Sequence, residues 1–207
     1  MKIAISFLKS KFNTIDTINK INKTTADFLH VDIMDGKFVP NKTDAFLEEL
    51  KSSIKPLDIH LMVDNPIDYI IKYKELKPDF LTIHSEINYN LYDLIDLIKS
   101  FNIKAGISIK PNTNIESIKS ILPIIDNVLI MSVEPGKGGQ KFIDSVIPKI
   151  DLLKRIREEK NYNYIISIDG GINDTTINKV KDVDLIISGS YICMNDDYQD
   201  QINKLIK

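Results

Sequence analysis

Eight short apolar runs alternate with stretches of helical periodicity along the 207 residues, and near-continuous apolar strands separated by helices imply a parallel sheet covered on both faces. Each unit averages about 26 residues, close to the minimum for a strand, a crossover helix and two short loops. No linker, low-complexity tract or hairpin signal interrupts the alternation. The sequence therefore predicts an α/β chain folded as one (β/α)8 barrel domain over 1–207, with its functional site at the C-terminal ends of the strands. An open doubly wound sheet is the alternative, and the strand count argues against it.

The strands are expected in the following order. Lys2 to Ser6 ends in a hydroxyl, and Phe28 to Ile33 carries His30 and Asp32. Leu57 to Val63 sets His60 between apolar neighbours, where an unpaired imidazole would carry a desolvation penalty. Phe80 to His84 ends in the third histidine of the chain. Asn90 to Lys99 then reads as a helix, with Leu91, Leu94, Ile95 and Ile98 on one face and a cation at its end. Lys104 to Ile109 and Val128 to Val133 are the fifth and sixth strands, the latter running into Glu134-Pro135-Gly136-Lys137-Gly138-Gly139-Gln140. A longer helix is expected over Ser145 to Lys160, with Ile147, Ile150, Leu153, Lys154 and Arg157 at helical spacing; its mixed-sign end reads as a solvated face. Tyr164 to Asp169 leads into Gly170-Gly171, and Leu185 to Ser188 into Gly189-Ser190.

Composition narrows the function. Lys and Arg number 27 against 29 Asp and Glu, so the formal charge of −2 gives no general attraction to nucleic acid or to an anionic membrane. Any anion must be bound locally. Cys193 is the single cysteine, which excludes an internal disulfide framework and fits a reducing compartment. No run approaches the roughly 18 apolar residues of a membrane span, and the start of the chain lacks a signal-peptide pattern. The expectation is a soluble cytoplasmic protein.

His30 and Asp32 are two apart in a strand, so imidazole and carboxylate project from the same face. Taken alone, the pair fits either half of a metal site or a histidine hydrogen-bonded to its neighbour's carboxylate. Ser6, His60, His84 and Asp169 are also expected at or near C-terminal strand ends, and this convergence on one rim favours the metal reading. Six of the eight glycines (Gly136, Gly138, Gly139, Gly170, Gly171, Gly189) fall in the three segments after the last three strands. Such backbone either cradles a phosphate with its amide groups or makes tight turns; the clustering favours the cradle.

Several blocks then match a family. Ser6-Phe7-Leu8, His30 to Gly36 continuing to Phe38-Val39-Pro40-Asn41, His60-Leu61-Met62-Val63, Met131 to Gly136, Gly138-Gly139-Gln140, Asp169-Gly170-Gly171 and Gly189-Ser190 occur in order and resemble ribulose-phosphate 3-epimerase. The resemblance implies a (β/α)8 barrel that interconverts D-ribulose 5-phosphate and D-xylulose 5-phosphate in the pentose phosphate pathway with one divalent metal. It implies His30, Asp32, His60 and Asp169 as ligands, with Asp32 and Asp169 doubling as the acid/base pair. Ser6 and His60 would touch substrate, and Gly136, Lys137, Gly138, Gly139, Asp169, Gly170, Gly171, Gly189 and Ser190 would line the sugar-phosphate site. Met34, Met62 and Met131 match methionines around the reacting carbon, a role physically close to gap-filling core methionine. The metal could be zinc, iron, manganese or cobalt, and relatives assemble as homo-oligomers, dimers or hexamers.

Lys137 departs from the phenylalanine usual at its position; it either approaches the phosphate or points to solvent, and solvent is the favoured reading. Lys11 also departs from the family pattern. His84 and Asp35 are expected to support the site without ligating, and Cys193 to pack. Allulose-6-phosphate 3-epimerase is the nearest rival function. A related decarboxylase or aldolase would carry lysine in an Asp-x-Lys-x-x-Asp pattern, where this chain has Met34. A non-catalytic sugar-phosphate-binding barrel should have lost a metal ligand, and none is missing.

Overall fold

Side-chain alternation along each strand decides this architecture. The computed structural model describes residues 1–43 and 47–206; residues 44–46 and 207 of the expected domain lie outside it. The strands are β1 (Lys2–Ser6), β2 (Phe28–Met34), β3 (Leu57–Met62), β4 (Phe80–His84), β5 (Lys104–Ile109), β6 (Asn127–Met131), β7 (Ile165–Asp169) and β8 (Leu185–Ser188). Each pairs in parallel with the next, and β8 pairs with β1, so the sheet closes into the predicted barrel. One parity of residues, including Ile3, Ile5, Leu29, Val31, Ile33, Ile59, Leu61, Leu81 and Ile83, joins the apolar cluster that also holds the buried faces of the helices. The other parity points inward. Its lower layer includes Ala4, Phe28, Phe80, Leu129 and Leu185, with the Phe28 and Phe80 rings edge to face at 5.8 Å. That plug fills the barrel floor, each large apolar side chain contributing about 1.5–3 kcal/mol on burial. Ser167 donates to Asn127 Oδ1 at 2.7 Å within that layer, and His30, Asp32, His60 and Asp169 come above it.

The helices are α1 (Thr14–Asn22), α2 (Leu47–Leu50), α3 (Pro66–Tyr73), α4 (Leu91–Ser100), α5 (Ile147–Lys160), α6 (Ser190–Cys193) and α7 (Tyr198–Leu205). The Asn90 side chain caps α4 by accepting from the Tyr92 amide, and Leu94, Ile95 and Ile98 are its buried residues, as the periodicity predicts. α5 starts two residues later than expected, after a 3-10 turn over Asp144–Val146. Its buried line is Ile150, Leu153 and Ile156; Arg157 turns away to pair with Asp184 at 2.5 Å.

Two connections depart from the regular alternation. Between β5 and β6 the described residues form 3-10 turns at Ile115–Ile118 and Leu122–Ile124, the second carrying Pro123, which cannot donate to a longer helix. Between β7 and β8 the Asn173 side chain accepts from the amides of Thr175 and Thr176, and a 3-10 turn over Ile177–Lys179 follows. Strand ends shift by a residue or two. β6 ends at Met131, and Ser132 just beyond it fastens the loops after β6 and β7 together: its amide donates to the Asp169 carbonyl at 2.8 Å, and its hydroxyl lies between the carbonyls of Asp169 and Gly170 at 2.9 and 2.7 Å.

Candidate active site

Register brings the predicted polar residues together. β2 and β3 pair His30 with Asp58 and Asp32 with His60, while Asp169 is the last residue of β7. One ligand atom from each of His30, Asp32, His60 and Asp169 lies within 4.8 Å of the other three. Asp32 Oδ1 is the common neighbour of the two rings, 3.3 Å from His30 Nε2 and 3.1 Å from His60 Nδ1. Its second oxygen, Oδ2, accepts from the Ser6 hydroxyl at 2.7 Å, which fixes the plane of the carboxylate. His30 is completely buried, and its Nδ1 meets Asp58 Oδ2 at 2.7 Å. A carboxylate there takes the Nδ1 proton and leaves Nε2 as a lone pair, and Nε2 is a buried atom with no hydrogen-bond partner among the described residues. An unsatisfied imidazole nitrogen aimed at a carboxylate oxygen is costly without a cation between them. The residues therefore fit a bound metal ion.

Charge distributes unevenly over the cluster. Burial alone would raise the Asp32 carboxyl, but the adjacent His30, with His60 behind it, outweighs burial and holds Asp32 far below the usual carboxylate range. Burial opposes charge on His30 too, yet Asp58 and Asp32 outweigh it and hold that ring well above its ordinary value, so the position between Nε2 and Asp32 Oδ1 favours a cation, whether a proton or a metal ion. Asp169 goes the other way: burial, reinforced by the Asp32 charge, pushes it up to about 7.

A cavity opens beside the cluster. Ser6, Asp32 and Asp169 line it together with Gly136, Lys137, Gly138, Gly139, Gly170, Gly171, Gly189, Ser190, Met62 and Met131. His60, expected to touch substrate, and Met34, expected to support the site, are not among the residues lining this cavity; Met34 packs with Val39 and Met62. The glycines are required by shape at two positions above all. Gly170 has φ +120° and a Cβ there would lie 2.5 Å from Val133, while Gly171 has φ +66° with the Phe142 amide nitrogen 2.6 Å from the same point. Lys137 is exposed on the loop after β6, and the Gln140 side chain ties the carbonyls of Glu134 and Lys137 together at 2.6 and 2.7 Å. Asp35 serves the loop after β2, accepting from the amides of Lys37, Phe38 and Asp64. Cys193 is buried, as expected.

Asp58 and Lys9 were not singled out by the sequence reading. Asp58 could have been found from its position two before His60, on the same strand face. Lys9 lies along the glycine loop from the far side of the cavity: a Cβ on Gly139 would sit 2.9 Å from its Nζ. Nothing local in the sequence signals that approach.

Fold and site together define a (β/α)8 barrel enzyme with a four-residue cluster able to hold a metal ion beside a glycine-walled cavity. Residues 2–193 match the model of the ribulose-phosphate 3 epimerase family. The chain is 40% identical over 203 residues to ribulose-phosphate 3-epimerase of Helicobacter pylori (strain ATCC 700392 / 26695), covering 95% of this chain and 93% of the relative. It is 37% identical over 212 residues to the Bacillus subtilis (strain 168) enzyme of the same name, covering 99% and 98%. A solved 3-hexulose-6-phosphate synthase from Salmonella typhimurium superposes with a TM-score of 0.71 over 99% of this chain and 96% of that one; at 13% identity this shows the shared fold. The chain belongs to the ribulose-phosphate 3-epimerase family and is an epimerase. Among the described residues no helix is long and apolar enough to cross a membrane.

Proposed function

We propose that the chain interconverts D-ribulose 5-phosphate and D-xylulose 5-phosphate, with Asp32 and Asp169 exchanging the roles of base and acid on opposite faces of the carbon beside the ketone. The observation that carries this reading is that both carboxyl groups belong at once to the four-residue cluster and to the glycine-walled cavity. Inversion requires a proton to leave one face and another to arrive on the other, through an enediolate, and one base cannot easily serve both. Asp32 from β2 and Asp169 from β7 approach from different sides of the barrel mouth. Ser6 steadies Asp32, while Met62 and Met131 give the reacting carbon an apolar wall that limits water.

His30, Asp32, His60 and Asp169 would hold one divalent ion, and imidazole with carboxylate suits zinc, iron, manganese or cobalt. When bound, that ion supplies a Lewis acid worth several kcal/mol against the negative charge that develops on the substrate oxygens. The backbone of Gly136 to Gly139, Gly170-Gly171 and Gly189-Ser190 binds the phosphate, remote from the chemistry, and Lys9 beside Gly139 adds a cation to that grip. A cytoplasmic homo-oligomer, dimer or hexamer, is part of the same reading.

The test is a coupled assay of ribulose 5-phosphate against allulose 6-phosphate, after chelation and again after metal add-back. Turnover of ribulose 5-phosphate that disappears on chelation and returns with metal supports the proposal. Preference for allulose 6-phosphate would transfer the assignment to that epimerase, and sugar-phosphate binding without turnover would reduce the chain to a binding barrel.

A further inference from the structure

Behind His60 a line of polar groups runs from the buried His84 to the half-buried Glu86, and the reaction itself does not use it. His60 Nε2 and His84 Nε2 are 2.9 Å apart, and both rings are completely buried. His84 Nδ1 continues the line to Glu86 Oε2 at 3.0 Å. The other carboxylate oxygen, Oε1, accepts from the Lys110 amide at 2.7 Å and from the Thr113 hydroxyl. The loop carrying those two donors is itself clamped: Lys149 Nζ, on α5, donates to the carbonyls of Lys110, Pro111 and Thr113 at 3.0, 2.8 and 2.6 Å. The Phe38 ring covers His84, with centroids 4.6 Å apart.

The polarity of this line follows from hydrogen-bond chemistry. Two imidazole nitrogens at 2.9 Å need one donor and one acceptor, and by themselves two histidines could choose either arrangement. Glu86 removes the choice. A carboxylate that already receives an amide and a hydroxyl on one oxygen presents the other as an acceptor, so the His84 proton belongs on Nδ1. His84 Nε2 then carries a lone pair and accepts, so the His60 proton belongs on Nε2. This leaves His60 Nδ1, the atom facing Asp32 Oδ1 at 3.1 Å, with its lone pair turned into the cluster.

We propose that Glu86 and His84 are positioning residues that fix the Nε2–H tautomer of His60 and so make its Nδ1 a metal ligand. The proposal rests on the metal reading above. It gives the two histidines parallel treatment: Asp58 sets His30 directly, and Glu86 sets His60 through one intervening ring. Outer partners of ligating histidines are typically worth 10–100-fold in metal affinity.

The experiment measures Co(II) affinity of the full chain by chelator competition, followed through the visible absorption of the bound ion, for the wild type, His84→Phe, His84→Gln and Glu86→Gln. His84→Phe fills the space without an acceptor and should weaken Co(II) binding by about 10–100-fold. His84→Gln returns an acceptor oxygen and should recover part of the loss, and Glu86→Gln, which keeps an acceptor for His84, should lose less than His84→Phe. In parallel, histidine ring 15N shifts of the Zn(II)-loaded wild type should show His60 protonated at Nε2. A packing role alone would lower the melting temperature and leave the affinity of the folded variants unchanged, and that result would overturn the relay, as would a His60 proton on Nδ1. Should His84→Phe fail to fold, the His84→Gln affinity and the wild-type ring shifts decide. A wild type that takes up no Co(II) would remove the metal reading and the relay together, whereas wild-type binding with unaltered variants removes the relay alone.

Discussion

Replacing Lys9 by glutamine tests the phosphate grip at its least expected member. The Lys9 chain lies along Gly138 and Gly139 on the wall of the cavity, and its ammonium is where a side chain on Gly139 would begin. Two unit charges about 4 Å apart at an effective dielectric of about 20 attract by about 4 kcal/mol. Ordering an exposed lysine costs up to about 2 kcal/mol of that. The remaining ~2 kcal/mol corresponds to roughly a 30-fold rise in KM for Lys9→Gln. Because the phosphate is remote from the reacting carbon, the loss is of uniform binding, so kcat should hold. Steady-state kinetics at low and high ionic strength are the assay: salt screens exposed charge, so the gap between wild type and variant should narrow as salt rises. Lys137→Ala provides the internal comparison. Its side chain is exposed on the loop after β6, and KM should stay within about twofold. A Lys9→Gln enzyme with wild-type KM, or a Lys137→Ala enzyme that carries the whole effect, would remove Lys9 from the phosphate grip.

Asp32→Asn should cut turnover by about 10³-fold or more in the coupled assay while circular dichroism stays native; near-normal activity would remove Asp32 as a base. Gly106→Ala should cost about 1–3 kcal/mol in chemical denaturation, because a Cβ there would lie 2.2 Å from the buried Thr82 Oγ1, and a Thr82→Ala background should relieve most of it. Burial pushes the Cys193 thiol up to about 12, so at pH 8 only about one molecule in 10⁴ is thiolate and a disulfide reagent should label the protein only once it is unfolded. The sign for stability follows: the folded thiol holds its proton more tightly, so its contribution is present below pH 9.0, the ordinary value, and is lost as pH rises towards 12.

The strands were legible because a barrel strand is buried on both faces and reads as an unbroken apolar run, so the few polar residues inside such runs, His30, Asp32 and His60, announced themselves. The 3-10 turns that stand in place of helices between β5 and β6 and between β7 and β8 were not, because side-chain turns such as the one at Asn173 satisfy the backbone with no periodic signal. Asp58 was hidden for a different reason. It became the partner of His30 through strand register, 28 residues away in sequence, and register is a property of the closed sheet. Lys9 was hidden likewise, since only the folded rim brings the loop after β1 against the loop after β6.

The site divides around the barrel mouth in a way that the sequence order foreshadows and the geometry makes consequential. β2, β3 and β4 supply the histidines and the groups that orient them, while the loops after β6, β7 and β8 supply the glycine wall. A change confined to the wall should therefore alter substrate affinity and spare the metal. Gly136→Ala is such a change, because Gly136 has φ +100° and a Cβ would lie 2.7 Å from Val39; it should raise KM and leave Co(II) affinity at the wild-type value. His84→Phe should do the opposite at the level of binding, losing metal without touching the cavity wall, which it does not line. Asp32 and Asp169 lie in both halves, so their variants should lose metal affinity and turnover together. If Gly136→Ala weakened Co(II) binding as strongly as His84→Phe, the two halves would be one cooperative unit and the division would fail.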